Sequence, residues 1–198
     1  MTRIPPGVAR ALFASAVVPS SSSWAVSWWE GLGGGPVVPG VGGAVYPDAA
    51  ALAADLDALL ARPHPKREGA ALACATFGRD GDDAAGVVPR RGGDVSVWTA
   101  VQLDAEPKDG RTPPDLAAAW PVLSALGVAV VAHPSPSSSH RGERYRAWVR
   151  VADHEGRGRR GVDPWAQLGA RVLLEVLDAL ALGPFDPAPT TPQSVGYV

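Results

Sequence analysis

The chain of 198 residues is long enough for one domain with its own hydrophobic core, and its net charge of −2 indicates no particular class of partner. An apolar fraction of 46% beside a charged fraction of 19% excludes a largely disordered protein. The single cysteine, Cys74, excludes a disulfide framework and a cysteine-based zinc site, and no apolar run approaches the length of a membrane span. We therefore expect a cytoplasmic protein with no membrane partner.

The N-terminal third predicts a small α/β layer. The stretch SSSWAVSWWE is typical of a strand, and leucines at helical spacing predict a helix over 48–61, with Asp48 as its N-cap. The run AALACATF then predicts a buried strand over 70–77. We assign residues 1–69 to an N-terminal extension that packs on a core formed by residues 70–198.

The remaining elements predict an α+β core. VSVWTAVQLD is a strand, followed by a helix that we expect to be capped by Thr112, and by two further strands, VAVVAH and ERYRAWVRVA. A second helix, capped by Asp163, and a short strand SVGYV complete the chain. The order β-α-β-β-α-β is the ferredoxin-like arrangement. Its first and third strands are central antiparallel neighbours, and its fourth strand flanks the first.

This topology predicts where the charged side chains meet. In VWTAVQLDAEPKDG a buried strand ends in Asp104 and Glu106, which face the same way because strand side chains alternate. The third strand begins at that same edge, which places Arg144 and Arg146 beside the two acids. The fourth strand also starts there, preceded by Asp186. A turn rich in Ser and His joins the second and third strands at this edge.

Carboxylates that converge repel one another unless a divalent cation joins them, and oxygen ligands suit Mg²⁺ or Mn²⁺. Arginines alongside would bind the phosphates that such a metal accompanies. Together they are the groups that phosphoryl or nucleotidyl transfer requires. The simpler alternative is that Asp104 and Glu106 only end a strand and that Asp186 only belongs to a turn.

Basic residues concentrate in the same part of the chain. They form either a solvated basic surface or an anion site for phosphate groups. The arginines concerned are Arg141, Arg144, Arg146, Arg150, Arg157, Arg159, Arg160 and Arg171.

Three segments resemble the archaeo-eukaryotic primase superfamily, which includes primase-polymerases of plasmids and phages. AVQLDAEP is similar to the hydrophobic-strand D-x-D/E motif of that superfamily. GVAVVAHPSPSSSHRGERYRAWVRV resembles its strand, Thr/Ser/His turn and R-Y-R strand, and FDPAPTTPQSVGYV resembles its next Asp-containing loop and strand. The resemblance covers roughly residues 70–198 and implies an RRM-like catalytic unit.

The resemblance also implies a function. The chain would be a metal-dependent nucleotidyltransferase, a DNA primase or polymerase that uses NTP or dNTP on a DNA template in plasmid or phage replication, with a helicase or another replication protein as a further partner. Asp104, Glu106 and Asp186 would be the catalytic carboxylates and the ligands of Mg²⁺ or Mn²⁺. The nucleotide-binding residues would be Ser137, Ser139, His140, Arg144 and Arg146, with His133 as the other candidate for the histidine that the family carries in its turn.

Two alternatives compete with an enzyme of this kind. The first is a catalytically degenerate domain that binds single-stranded nucleic acid, with Trp98, Tyr145 and Trp148 stacking on bases. The second is a serine hydrolase, which SSSH supports poorly because it lacks the G-x-S-x-G elbow.

Overall fold

The computed structural model describes residues 23–30, 43–60, 70–77, 95–135, 143–156, 164–186 and 196–197. The described chain is a mixed α+β structure, as the sequence predicts. Its elements in chain order are β1 (Trp24–Glu30), β2 (Gly43–Tyr46), α1 (Ala49–Leu60), β3 (Ala70–Ala73), β4 (Ala75–Phe77), β5 (Val95–Ala105), α2 (Leu116–Ala125), β6 (Val130–Pro134), β7 (Tyr145–Glu155), α3 (Pro164–Ala179) and β8 (Gly196–Tyr197).

The strands form two four-stranded sheets. One has the order β2-β1-β3-β8 and the other has the order β4-β5-β7-β6. In the second sheet, β5 and β7 are central antiparallel neighbours, as predicted. The long β5–β7 ladder keeps a continuous register from Ala100 opposite Arg150 to Ala105 opposite Tyr145.

The fourth strand of the predicted unit is not where the sequence analysis placed it. β8 pairs with β3 in the other sheet, so the prediction that it flanks β5 is wrong. The free edge of β5 is instead occupied by β4 over Val95–Trp98 and, at its other end, by a single bridge from Phe185 to Ala105. An edge can pair only once, so β4 excludes β8 from this position.

The segment 70–77, predicted as one strand, is divided between the two sheets at Cys74. β3 pairs with β1, whereas β4 pairs with β5. The carbonyl of Cys74 accepts hydrogen bonds from the backbone N–H groups of Thr99 (2.9 Å) and Ala100 (3.3 Å), where β5 is bulged. Thr99 Oγ1 also donates to the carbonyl of Ala25 at 2.7 Å, which ties β1 to the same point. The two sheets are therefore joined by backbone continuity and by hydrogen bonds.

Both faces of the β5–β7–β6 layer are covered. Residues of one face, such as Leu103 and Val149, pack with Leu123 of α2 and Leu177 of α3. Residues of the other face, such as Trp148, pack with side chains from β1, β3 and α1. Alternation along β7 accounts for this division, because successive side chains point to opposite faces.

The N-cap residue predicted from the sequence is confirmed for one described helix and wrong for another. Asp48 caps α1, since its Oδ1 accepts a hydrogen bond from the Ala51 N–H at 2.9 Å. For α2 the predicted cap, Thr112, is wrong: Asp115 is the N-cap and accepts from the Ala118 N–H at 2.7 Å. Pro113 precedes a second proline, and a residue before proline is disfavoured in the helical region, so the helix begins later. Asp163 lies outside the described residues.

Within the described residues, no helix combines the length and the hydrophobicity that crossing a bilayer requires.

Gly156 lies where a side chain cannot fit. Its N–H donates to the carbonyl of Ser96 at 2.7 Å, and a Cβ at this position would collide with the carbonyl oxygen of Val95. We expect Gly156→Ala to lower the free energy of unfolding by about 1–3 kcal/mol, because backbone has to move to admit the methyl group. Urea unfolding followed by circular dichroism measures the change.

Gly169 provides the matched control. It lies inside α3, and a Cβ there would meet nothing within 4 Å. Gly169→Ala should raise stability by about 0.5–1 kcal/mol, because alanine loses less backbone entropy than glycine in a helix. Equal effects of the two substitutions would contradict this account of Gly156.

Candidate active site

The candidate site lies at the C-terminal end of β5, where β7 begins. Asp104 stands opposite Arg146 in the β5–β7 register, and His133 of β6 stands opposite Arg146 on its other side. Asp104, Arg146 and His133 therefore form one row across three neighbouring strands. Residues directly opposite one another in a sheet share a face, which brings their side chains together.

Two acid–arginine pairs occupy this strand end. Arg146 Nη2 donates to Asp104 Oδ2 at 2.8 Å, and Arg144 Nη1 donates to Glu106 Oε2 at 2.8 Å. The Arg146 side chain is only 5% exposed and that of Asp104 is 21% exposed. Removing one partner of such a pair leaves a charge in a poorly hydrated place, which costs about 3–5 kcal/mol for fully buried pairs. The Arg144–Glu106 pair is more exposed, at 18% and 31%.

The third predicted carboxylate reaches the same strand end. The backbone N–H of Asp186 donates to the carbonyl of Asp104 at 2.9 Å, and the N–H of Glu106 donates to the carbonyl of Pro184 at 3.2 Å. These bonds fix the segment after α3 against the end of β5. The structure thus places Asp104, Glu106 and Asp186 at one edge of one sheet.

Lys108 is a residue of this region that the sequence analysis missed. Its Nζ lies 3.9 Å from Asp186 Oδ1. Lys108 and Arg111 form a bridge around Asp109 and Gly110, which both have positive φ (53° and 75°). This is the geometry of a type I′ turn, for which the Asp-Gly dipeptide in the sequence is the expected signal.

The same turn is fastened to α3. Arg111 makes a bidentate pair with Asp178, with Nη2–Oδ1 at 2.6 Å and Nη1–Oδ2 at 2.9 Å. Both side chains are partly exposed to solvent, at 54% for Arg111 and 36% for Asp178. An ion pair this exposed contributes little to the stability of the fold. Its effect is to hold the turn that presents Lys108 beside Asp186.

His133 is buried, and its pKa is shifted well below the ordinary histidine value. Burial lowers the pKa of His133 to about 4; the Arg146 charge lowers it further, whereas a hydrogen bond to the Pro134 carbonyl and the charges of Asp104 and Asp57 act in the opposite direction. Nδ1 lies 2.7 Å from that carbonyl, so Nδ1 carries the proton in the neutral ring. Nε2 is then an acceptor, and it is buried without a hydrogen-bond partner among the described residues.

The other predicted nucleotide-binding residues cannot be placed. Ser137, Ser139 and His140 lie outside the described residues. Of the two histidines considered from the sequence, only His133 is described, and it lies in the row with Asp104 and Arg146.

The predicted base-stacking surface is overturned. Trp98 is 2% exposed, and Tyr145 and Trp148 are fully buried. Tyr145 lies on the face that packs against α2 and α3, and its hydroxyl donates to the carbonyl of Leu182 at 2.5 Å. Trp148 lies on the opposite face, beneath β1 and α1. None of these three rings is available to stack on a base, because neighbouring elements cover both faces of the sheet.

Of the predicted basic cluster, Arg141, Arg157, Arg159 and Arg160 lie outside the described residues, and the described arginines have different environments. Arg150 is 5% exposed and donates to the carbonyls of Ser23 (2.7 Å), Thr99 (2.8 Å) and Val151. Arg150 therefore joins β1 to the β5–β7 pair and has a structural role. Arg144, just before β7, and Arg146, within it, lie at the strand end with the acids.

The donor chemistry of this strand end fits a hard divalent cation, since three half-buried carboxylates of Asp104, Glu106 and Asp186 supply oxygen ligands. Their present arrangement is not a ligand group: among the described residues, no three acidic, histidine or cysteine side chains are placed to hold one metal ion. Two of the carboxylates have a cationic partner instead.

Comparison of the chain with protein-family models, with curated proteins and with solved structures found no match. The assignment of a function therefore depends on the residues and geometry of this strand end.

The buried, neutral His133 predicts a pH dependence of stability. The pKa is about 4 in the folded protein against 6.5 for an ordinary histidine, so the unfolded chain binds the proton more readily. Stability is fully present above pH 6.5 and is lost as the pH falls toward 4, by up to roughly 3 kcal/mol from this residue.

Urea unfolding of wild type and His133→Gln at a series of pH values between 7 and about 4 checks this prediction. The substitution should flatten the loss of stability with falling pH, whatever it does to stability at neutral pH. Parallel curves for the two proteins would show that His133 is not the group responsible.

Proposed function

We propose that the chain is a metal-dependent nucleotidyltransferase of the primase-polymerase type that acts on a DNA template. The observation that supports the proposal best is the pair of acid–arginine contacts, Asp104 with Arg146 and Glu106 with Arg144, side by side where β5 ends. Acids and arginines at one point offer partners both for a metal ion and for the phosphates of a nucleotide.

Each residue has a role in this proposal. Arg144 and Arg146 bind the phosphates of an NTP or dNTP, for which the guanidinium group is well suited. Asp104, Glu106 and Asp186 hold Mg²⁺ or Mn²⁺, which would neutralise charge on the phosphates during transfer. Lys108, next to Asp186, adds a further positive charge at the rim of the site.

The fold supports this proposal over a binding module. In an RRM-like domain that binds single strands, aromatic side chains are exposed on the sheet. Here that sheet is covered on both faces, and Trp98, Tyr145 and Trp148 are buried. The charged groups instead collect at a strand end, at the margin of the covered sheet. We propose that this end belongs to an RRM-like catalytic unit in which β5 and β7 supply the reacting site.

The proposed setting is replication of a plasmid or phage, with a DNA template and a helicase or another replication protein as partners. This part of the proposal comes from the resemblance of the three sequence segments to the primase superfamily.

The Asp104→Asn variant distinguishes a nucleotidyltransferase from a domain that only binds nucleic acid. The substitution keeps the side-chain shape and removes one negatively charged ligand, so we expect nucleotide transfer to be abolished with either Mg²⁺ or Mn²⁺. Template binding should be unchanged or slightly stronger, because negative charge is removed from a surface that DNA approaches. A primer-extension and priming assay, run beside a DNA-binding titration, measures both.

Asp153→Asn is the matched control, since it breaks an aspartate–arginine pair of the same kind outside the site, the pair with Arg150. It should retain transfer, and thermal unfolding of both variants checks that they fold. Template-dependent transfer that survives Asp104→Asn would refute the proposed role of this carboxylate.

The arginines predict an effect on nucleotide affinity. Arg144→Gln and Arg146→Gln should each weaken nucleotide binding in the presence of metal by about 1.5–3 kcal/mol, the range for a hydrogen bond to a charged group. Arg171→Gln, an exposed substitution on α3, removes the same charge away from the site and should leave the affinity unchanged. Isothermal titration with a non-hydrolysable triphosphate measures the three affinities; unchanged binding in both site variants would mean that β7 contributes only basic surface.

A further inference from the structure

We infer that Arg144 and Arg146 keep the site carboxylates closed to metal until a polyphosphate takes the arginines as its own partners. This inference rests on the proposed function and adds a regulatory property to the same site. The ligand class is a polyphosphate nucleotide together with a hard divalent cation.

The two ion pairs are the starting observation. One oxygen of Asp104 and one of Glu106 each contact a guanidinium nitrogen at 2.8 Å. The charges of these four side chains cancel one another. A cation that approaches the strand end must compete with an arginine already in place on each of these two carboxylates.

The burial of Arg146 makes the competition strong. Its side chain is 5% exposed, so it cannot exchange Asp104 for bulk water if the carboxylate turns to a metal. A phosphate oxygen can take the place of the carboxylate, because it offers the guanidinium the same planar, charge-assisted hydrogen bonds. The release of Asp104 and the binding of phosphate by Arg146 are therefore two halves of one rearrangement.

His133 adds to this row a buried polar atom that has no hydrogen-bond partner among the described residues. Its side chain is buried in the strand next to Arg146, and its Nε2 has no hydrogen-bond partner among the described residues. Buried polar atoms nearly always have a partner in a finished structure. The unsatisfied nitrogen belongs to the residue opposite Arg146 in the row that contains Asp104.

If Arg146 leaves Asp104 only when a phosphate is present, the protein should bind metal differently in the absence of nucleotide. In wild type, Asp104 and Glu106 are held by arginines, and binding of Mn²⁺ alone should be weak. Arg146→Gln removes the competitor, so the variant should bind Mn²⁺ alone roughly tenfold more tightly, in line with the loss of one charged hydrogen bond. The same variant should bind a triphosphate more weakly in the presence of Mn²⁺. A general loss of site structure would weaken both.

The experiment is a titration of Mn²⁺ followed by the paramagnetic resonance of the free ion, with no nucleotide present. Wild type is compared with Arg144→Gln, Arg146→Gln and the double variant Arg146→Gln/Asp104→Asn. The single arginine variants should gain affinity, and the double variant should lose the gain because its ligand is absent. Arg171→Gln controls for the loss of one positive charge elsewhere and should behave as wild type. If Arg146→Gln fails to fold, the more exposed Arg144→Gln decides the test.

The outcomes separate the inference from the function on which it rests. Equal Mn²⁺ affinity in wild type and both arginine variants, together with normal nucleotide binding, would overturn the exchange and leave the proposed function standing. Failure of wild type to bind Mn²⁺ and a triphosphate in any combination would overturn the proposed function. Tighter metal binding with weaker nucleotide binding in the same variant supports both.

Discussion

The antiparallel register between β5 and β7 is the constraint on which the rest of the structure depends. It sets Asp104 opposite Arg146 and Ala100 opposite Arg150. Side chains alternate along a strand, so a slip of one residue would move every side chain of β7 to the opposite face of the sheet and would separate the acids from the arginines. Hydrophobic burial on both faces makes such a slip costly. The packing of Leu103 and Val149 on one face, and of Trp148 on the other, therefore also fixes the geometry of the charged strand end.

Residues of β7 also connect the N-terminal sheet to the core. Arg150 is buried, and a buried guanidinium is tolerated only when its donors are satisfied. Three backbone carbonyls and the Asp153 carboxylate (2.6 Å) meet that requirement, and one of the carbonyls belongs to Ser23 just before β1. The same layer covers Trp148. The arrangement that stabilises the sheet thus removes its aromatic residues from contact with a nucleic acid.

What remains accessible is the strand end. Its acids and arginines neutralise one another in the described conformation, with His133 buried and neutral beside them. A site of this kind has little affinity for a free cation or a free anion, because either one must break an existing ion pair. A ligand that carries both charges, such as a metal-bound polyphosphate, replaces both partners together. This charge balance is the physical reason for the nucleotide chemistry that we propose for the site.

The sequence by itself determined the α+β class, the pairing of β5 with β7 and the meeting of Asp104 and Glu106 with Arg144 and Arg146. These follow from alternation and chain order, which are local properties. The capping of α1 by Asp48 is local too, whereas the start of α2 was misjudged because two adjacent prolines delay the helix. Only the tertiary structure decided that β8 leaves the core sheet for β3, since β4 is paired with the edge of β5. It also decided that the aromatic residues are buried, because burial depends on which distant elements pack together.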